Sequence, residues 1–292
     1  VSPPRERLFL QCAPGLEPAL VRELASLGVQ GPFAVSTGGV EVETRPREYE
    51  RLNLWSRVAE RILLRNPGAS KGGLDTTGEL LHFRGYRQEV GRAPLRETLA
   101  AGVLALGGFT PGEPVWDVMC GSGTLVIEAA EWAAGLAPGR NRGFAFQGFP
   151  GHDLRAFAAL PRSGPGSSAP VLGSDLNAGA LGIARRNARR AGVFERLVLE
   201  RLDATALAPR PGLPPGLVVA NLPYGKRVGA KGELRQLFEA VGASVRRACA
   251  GWRFAFLLET GEEALGLEVA ARHEVANGGL RCHLVTGRVP PR

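Results

Sequence analysis

A chain of 292 residues, 44% hydrophobic and 22% charged, has ordinary globular composition and enough apolar material for two domains. No apolar run reaches 18 residues and the first residues lack the apolar core of a secretory leader, so neither a membrane span nor a signal peptide is expected. A net charge of +8, carried almost wholly by arginine, points to a polyanionic partner, because arginine suits bidentate phosphate contacts and base stacking.

In chain order, residues 8–11 read as a strand. Residues 18–27 read as a helix, with Leu20, Leu24 and Leu27 on one face and Gly28 as its stop. Residues 33–43 read as two short strands around Thr37-Gly38-Gly39, residues 47–58 as a helix and residues 62–64 as a strand. These make a small α+β unit. Residues 66–73, rich in Gly, Pro and Ser, mark a linker or a shortened loop.

A helix is expected to open at Ala93 and run to about Leu106. Strand and helix then alternate, the pattern of a parallel α/β sheet covered on both faces. Strands are expected at 114–117, 171–175, 197–201, 217–220, 253–258 and 280–286. Helices are expected at 124–134, 178–191 and 234–249. The outer face of the 178–191 helix carries Arg185, Arg186, Arg189 and Arg190, read as a solvated surface.

Four widely separated cysteines and four scattered histidines match no metal spacing, so no metal is expected, and a reducing cytoplasmic setting is.

Asp117-Val-Met-Cys-Gly-Ser-Gly-Thr124 lies between a strand and a helix. Its glycines let a ligand approach the backbone and a helix N-terminus. A dinucleotide fingerprint wants a third glycine where Val126 stands, and an acidic residue roughly 20 positions on, far short of Asp175. No nucleotide-triphosphate loop is present. S-adenosylmethionine (SAM), which has no phosphate and carries a sulfonium, fits better. Asp175 then suits the ribose hydroxyls, Asp203 with the small Ala204 the adenine amine, and Asp117 the cationic aminoacyl end. Met119, Cys120, Gly121, Ser122, Gly123, Thr124, Leu176 and Asn221 complete the expected cofactor set.

Asn221-Leu-Pro-Tyr224 follows the fourth strand of that sheet. An exocyclic amine is a weak nucleophile, because its lone pair is delocalised into the ring. It needs acceptors that orient its N–H bonds, here the Asn221 amide and the Leu222 carbonyl. Pro223 stiffens the turn and Tyr224 offers a stacking face. Methylation of a nucleobase amine is the chemistry this tetrad suits.

With these residues in hand, the chain resembles the class I RNA guanine-N2 methyltransferases that carry a THUMP domain. It is most similar to the N2-methylguanine half of the bacterial large-subunit (23S) ribosomal RNA enzyme. The likeness rests on Asp75-Thr-Thr-Gly-Glu-Leu-Leu-His-Phe-Arg-Gly-Tyr-Arg87, on Asp117 to Thr124 with Val118 in place of the family's proline, on Asn221-Leu-Pro-Tyr-Gly225 and on Asn277-Gly-Gly-Leu-Arg-Cys282. It implies a doubly wound Rossmann-like SAM methyltransferase domain at 93–292, a ferredoxin-like α+β domain at 1–65 and a THUMP remnant at 66–92. It also implies an RNA substrate, with Arg84, Arg87, Lys226 and Arg227 as candidate RNA contacts. Between Arg65 and Leu74 only a short bridge stands where the family places most of its THUMP domain. A tRNA substrate, an adenine-N6 DNA methyltransferase and a non-catalytic RNA-binding protein are the alternative readings.

Overall fold

The computed structural model describes residues 5–66, 72–89, 95–223 and 231–291. Two sheets organise the chain. The first is built from β1 (Glu6–Gln11), α1 (Glu17–Ser26), β2 (Phe33–Ser36), β3 (Gly39–Thr44), α2 (Glu48–Trp55), β4 (Arg61–Leu64) and β5 (Leu74–Asp75). Its strand order is β2-β3-β1-β4-β5, antiparallel throughout. Leu8 and Leu10 alternate inward on β1, against Leu20 and Leu24 of α1.

One expectation is corrected here. The helix expected over 47–58 stops at Trp55 because Ser56 is extended. Its hydroxyl and the Arg57 N–H both donate to the buried Glu23 carboxylate, at 2.6 and 2.7 Å. Just after the expected linker, Leu74 and Asp75 pair back onto β4. The signature after it is a latch. Asn53 on α2 donates to Thr76 Oγ1 at 2.8 Å and accepts from Thr77 Oγ1 at 2.7 Å.

The second sheet begins after α3 (Glu97–Leu106). It comprises β6 (Val115–Asp117), α4 (Thr124–Ala133), the short α5 (Leu154–Ala158), β7 (Val171–Asp175), α6 (Ala178–Ala191) and β8 (Leu197–Arg201). The chain then forms β9 (Leu217–Asn221), α7 (Lys231–Ala248), β10 (Arg253–Leu258), β11 (Val269–Asn277) and β12 (Leu280–Arg288). Strand order is β11-β12-β10-β9-β6-β7-β8, parallel from β10 through β8, with β12 and β11 antiparallel.

The central strands read as unbroken apolar runs because both faces are buried. Val115, Leu217, Val219, Ala255 and Leu257 face one core, shared with α3, α4 and the N-terminal unit. Trp116, Val218, Ala220, Phe254 and Phe256 face the other, with Phe238, Val241 and Val245 of α7. Sequence reading missed β11. It is an edge strand whose middle is the polar run Arg272-His273-Glu274, and its pairing to β12 makes it a strand. The N-terminal unit docks on this edge, where Ala276 N–H donates to Pro14 O at 3.3 Å.

Candidate active site

The chain lays β6 first, adds β7 and β8 towards one edge, and then returns to place β9 on the other side of β6. At such a reversal the flanking connections diverge, and a crevice opens beyond the carboxyl ends of the strands. The register puts the expected residues there. Asp117 aligns with Gly173 on β7 and Val219 on β9, so Asp175 and Asn221 each stand two residues further out. At roughly 3.3 Å per residue and 4.8 Å per strand, Asp117 is the floor, about 7 Å below two walls about 10 Å apart.

The glycine turn is held by its own backbone. Cys120 N–H donates to Ser174 O at 2.9 Å, and Gly123 N–H to Cys120 O at 2.8 Å. Gly121 and Gly123 adopt φ of +54° and +91°, a region costly for residues with a Cβ. At Gly123 a Cβ would also sit 3.0 Å from Ala184 Cβ on α6. Gly121 N–H donates to Asp175 Oδ2 at 2.8 Å, so this carboxylate both faces the crevice and fastens the turn. Cys120 and Thr124 are buried; Met119 and Ser122 are half-buried.

Asp117 is buried, and Met119 N–H donates to its Oδ1 at 3.1 Å. Burial pushes its carboxyl up to about 8; that backbone N–H opposes the shift and the neighbouring Asp175 adds to it. A carboxylate in such a place calls for a cation. Asn221 ends β9, and its Oδ1 is buried with no hydrogen-bond partner among the described residues. Leu222 is fully buried, and its N–H donates to Leu257 O at 2.9 Å, pinning the tetrad to β10. Pro223 is half-buried. Tyr224, Lys226 and Arg227 lie outside the described residues. Asp203 caps a short turn, its Oδ1 accepting from the Thr205 N–H and hydroxyl; Ala204 beside it is buried and Leu176 is exposed. SAM fits this set: a carboxylate in need of a cation, a second carboxylate at the next strand end, a backbone open at Gly121 and an exposed apolar side chain.

Two expected RNA contacts, Arg84 and Arg87, make bonds within the protein. Arg84 is only 3% exposed. Its guanidinium donates to Leu81 O at 2.5 Å, Arg57 O at 2.6 Å and Glu128 Oε1 at 3.4 Å. Arg87 is held by Glu97, and by Leu95 O at 2.6 Å. Arg84 serves a buried charge cluster that joins Glu23 and Arg57 of the N-terminal unit to Glu128 and Glu131 of α4. Sequence reading missed this cluster. Its signal was two glutamates on a helix whose other faces are apolar, since buried carboxylates require partners. Of the α6 arginines, Arg186 and Arg190 clasp Glu89, Arg185 donates to Leu199 O, and Arg189 covers the Phe194 ring at 4.2 Å.

Among the described residues no cluster of His, Cys, Asp and Glu could hold a metal, and no helix is long and apolar enough to cross a membrane. A family model described as RMKL-like, methyltransferase domain matches residues 84–286, and one described as RlmL ferredoxin-like domain matches residues 7–63. The chain is 40% identical over 225 residues to a ribosomal RNA large subunit methyltransferase K/L of Photobacterium profundum. That match covers 73% of this chain but spans about a third of the relative, 32%. A possible methylase from Clostridium difficile 630 superposes with a TM-score of 0.85 at 25% identity, covering 99% of each chain. SMU.472, described as a putative methyltransferase complexed with SAH, gives 0.85 at 22% identity, covering 99% of this chain and 98% of its own. The chain belongs to the RMKL-like methyltransferase family, with a ferredoxin-like domain of the RlmL type ahead of its catalytic domain.

Proposed function

We propose that the chain methylates the exocyclic N2 amine of a guanosine in RNA, with SAM as methyl donor and large-subunit ribosomal RNA as substrate. The observation that carries this reading is the buried, unpartnered Asn221 Oδ1 at the strand end beside the switch-point crevice. Buried acceptors are normally satisfied, so an unsatisfied one at such a place suits a ligand donor. SAM supplies an electrophilic methyl group on a positively charged sulfur.

Asn221 Oδ1 and the Leu222 carbonyl accept from the two amine N–H groups, turning the nitrogen lone pair towards the methyl group. They also stabilise the positive charge that grows on nitrogen. Pro223 keeps that turn stiff, and Tyr224 stacks the base. Asp175 and Asp203 hold the ribose and the adenine. The glycine turn and Asp117 receive the aminoacyl end. The same reading keeps the division at 1–65, 66–92 and 93–292, and a cytoplasmic location.

Nucleoside mass spectrometry of ribosomal RNA transcripts incubated with the chain and SAM tests it directly. N2-methylguanosine is expected. Methylation confined to adenine, or to DNA, would overturn the choice of substrate.

The Asp117 carboxyl gives a pH signature. The free protein holds it protonated below about pH 8. A cation bound beside it favours the carboxylate, so binding releases a proton, and SAM affinity should rise as pH goes from 6 to 8. Titration calorimetry in buffers of different ionisation enthalpy should read that proton, and Asp117→Asn should remove it. A pH-independent affinity in the parent chain would take Asp117 out of contact with the cationic end.

Asp175→Ala should raise the SAM dissociation constant by about 10- to 100-fold, the range for hydrogen bonds to a charged group. Turnover at saturating SAM should stay within about threefold of the parent, on the order of half a kcal/mol. An unaltered SAM affinity would remove Asp175 from the ribose role.

A further inference from the structure

A second cavity, of about 660 Å³, lies outside the crevice just described. Its walls include His82, Phe83, Arg96 and Arg142, with Asn277 and Gly278 from the β11–β12 turn. It opens at the same end of the molecule as the active site. The C-terminal end of α3 packs by Gly107 on Ala255 and Leu217, near the start of the strands, so its N-terminal end, with Arg96, reaches the carboxyl side. The β11–β12 turn precedes His283, which pairs with Leu258, the last residue of β10, so it too lies on that side.

Three features give the cavity a chemistry. Phe83 is 50% exposed and packs on His82 with ring centroids 4.1 Å apart, which makes a supported flat platform. Four arginines, Arg84, Arg87, Arg96 and Arg142, line it against two carboxylates, Glu79 and Glu97, and Arg96 also pairs with Glu60 at 3.1 Å. Arg142 spends its guanidinium on the carbonyls of Glu79, Leu80, Phe83 and Gly143, and makes no ion pair among the described residues. Burial first, and then Arg96, Arg87, Arg84 and Arg142, hold the His82 imidazole down to about 4, so it stays neutral at physiological pH. Finally, His82 is 9% exposed, and its Nδ1 has no hydrogen-bond partner among the described residues. An aromatic platform, more arginines than carboxylates in the walls and a neutral ring nitrogen suit a nucleotide: a flat base attached to an anion.

We propose that this cavity holds a nucleotide of the substrate RNA other than the methylated one, its base stacked on Phe83 and its phosphate facing Arg96 and Arg142. The proposal rests on RNA being the substrate. It gives the chain a grip on RNA independent of the amine pocket.

The test uses the full chain and a fluorescently labelled large-subunit ribosomal RNA transcript. Phe83→Ala should weaken RNA binding in anisotropy titrations by about tenfold, as expected for one lost base stack. KM for RNA should rise in parallel, while kcat and SAM affinity stay within about twofold, a small fraction of a tenfold loss. Phe83→Trp should restore affinity, and its added indole fluorescence should be quenched by RNA. Arg96→Gln should lower the slope of log affinity against log salt by about one. Unchanged RNA affinity in Phe83→Ala would overturn the proposal even where N2-methylguanosine is made. So would quenching of Phe83→Trp by free guanosine monophosphate but not by RNA, which would mark a mononucleotide site. A parent chain that binds RNA but makes no N2-methylguanosine fails the functional reading alone, and the binding loss in Phe83→Ala still decides the cavity.

Discussion

Asn221→Ala should lower kcat by about 100- to 1000-fold, the loss seen when one preorganised polar group is removed from a transition-state site. SAM affinity should hardly change. The melting temperature should hardly change either. Asn221 Oδ1 has no partner among the described residues, so truncation strands no described donor that it holds. The backbone at the end of β9 stays paired with β10, where Asn221 aligns with Leu257. Single-turnover kinetics with calorimetry separate the two quantities. Equal losses of turnover and SAM affinity would make Asn221 a cofactor contact and not an amine acceptor. Asn221→Asp keeps an oxygen in place and should recover part of the rate.

Arg84→Ala should cost about 3–5 kcal/mol of folding stability, because it leaves a buried carboxylate without its partner. Glu128 is fully buried, and Tyr86 donates to the same oxygen, Oε1, at 3.2 Å. Its other oxygen has no hydrogen bond, and the nearest guanidinium nitrogen of Arg57 is 4.0 Å away. Without Arg84, the carbonyls of Leu81 and Arg57 also lose their donor. Domains are stable by only about 5–15 kcal/mol, so the variant should be poorly soluble or melt many degrees lower in calorimetry. An Arg84→Ala chain that melts like its parent yet binds RNA weakly would return Arg84 to the RNA surface. The double variant Arg84→Met with Glu128→Leu should recover much of the loss, since a buried ion pair is often replaceable by apolar packing.

The two predictions concern residues of opposite legibility. Asn221, Asp117 and Asp175 could be placed by counting. Each ends an apolar run, and in a parallel sheet all such ends share one side. Local rules also sufficed for α6, where Asn177 caps the first turn, Leu181, Ala184 and Ala188 face inward, and Gly192 ends the helix in a left-handed conformation. Arg84 could not be placed by counting. An arginine in a Gly- and aromatic-rich signature reads as a surface contact until the fold supplies Glu128, which lies 44 residues away in sequence. β11 was hidden for a related reason. An edge strand's identity comes from its neighbour, and nothing in Val269–Asn277 alone reveals β12.

The sequence by itself determined the parallel α/β sheet, the glycine turn at Asp117, the place of Asn221 at the end of a strand and the family, because these follow from periodicity and from short contiguous motifs. Tertiary structure alone decided which charges are spent inside the protein and which face outward. It buried Arg84, paired Arg87 with Glu97, left Asn221 Oδ1 without a partner among the described residues, and stood Phe83 on His82 in an arginine-lined cavity. Burial and pairing depend on what distant segments bring alongside, and sequence spacing carries no record of that.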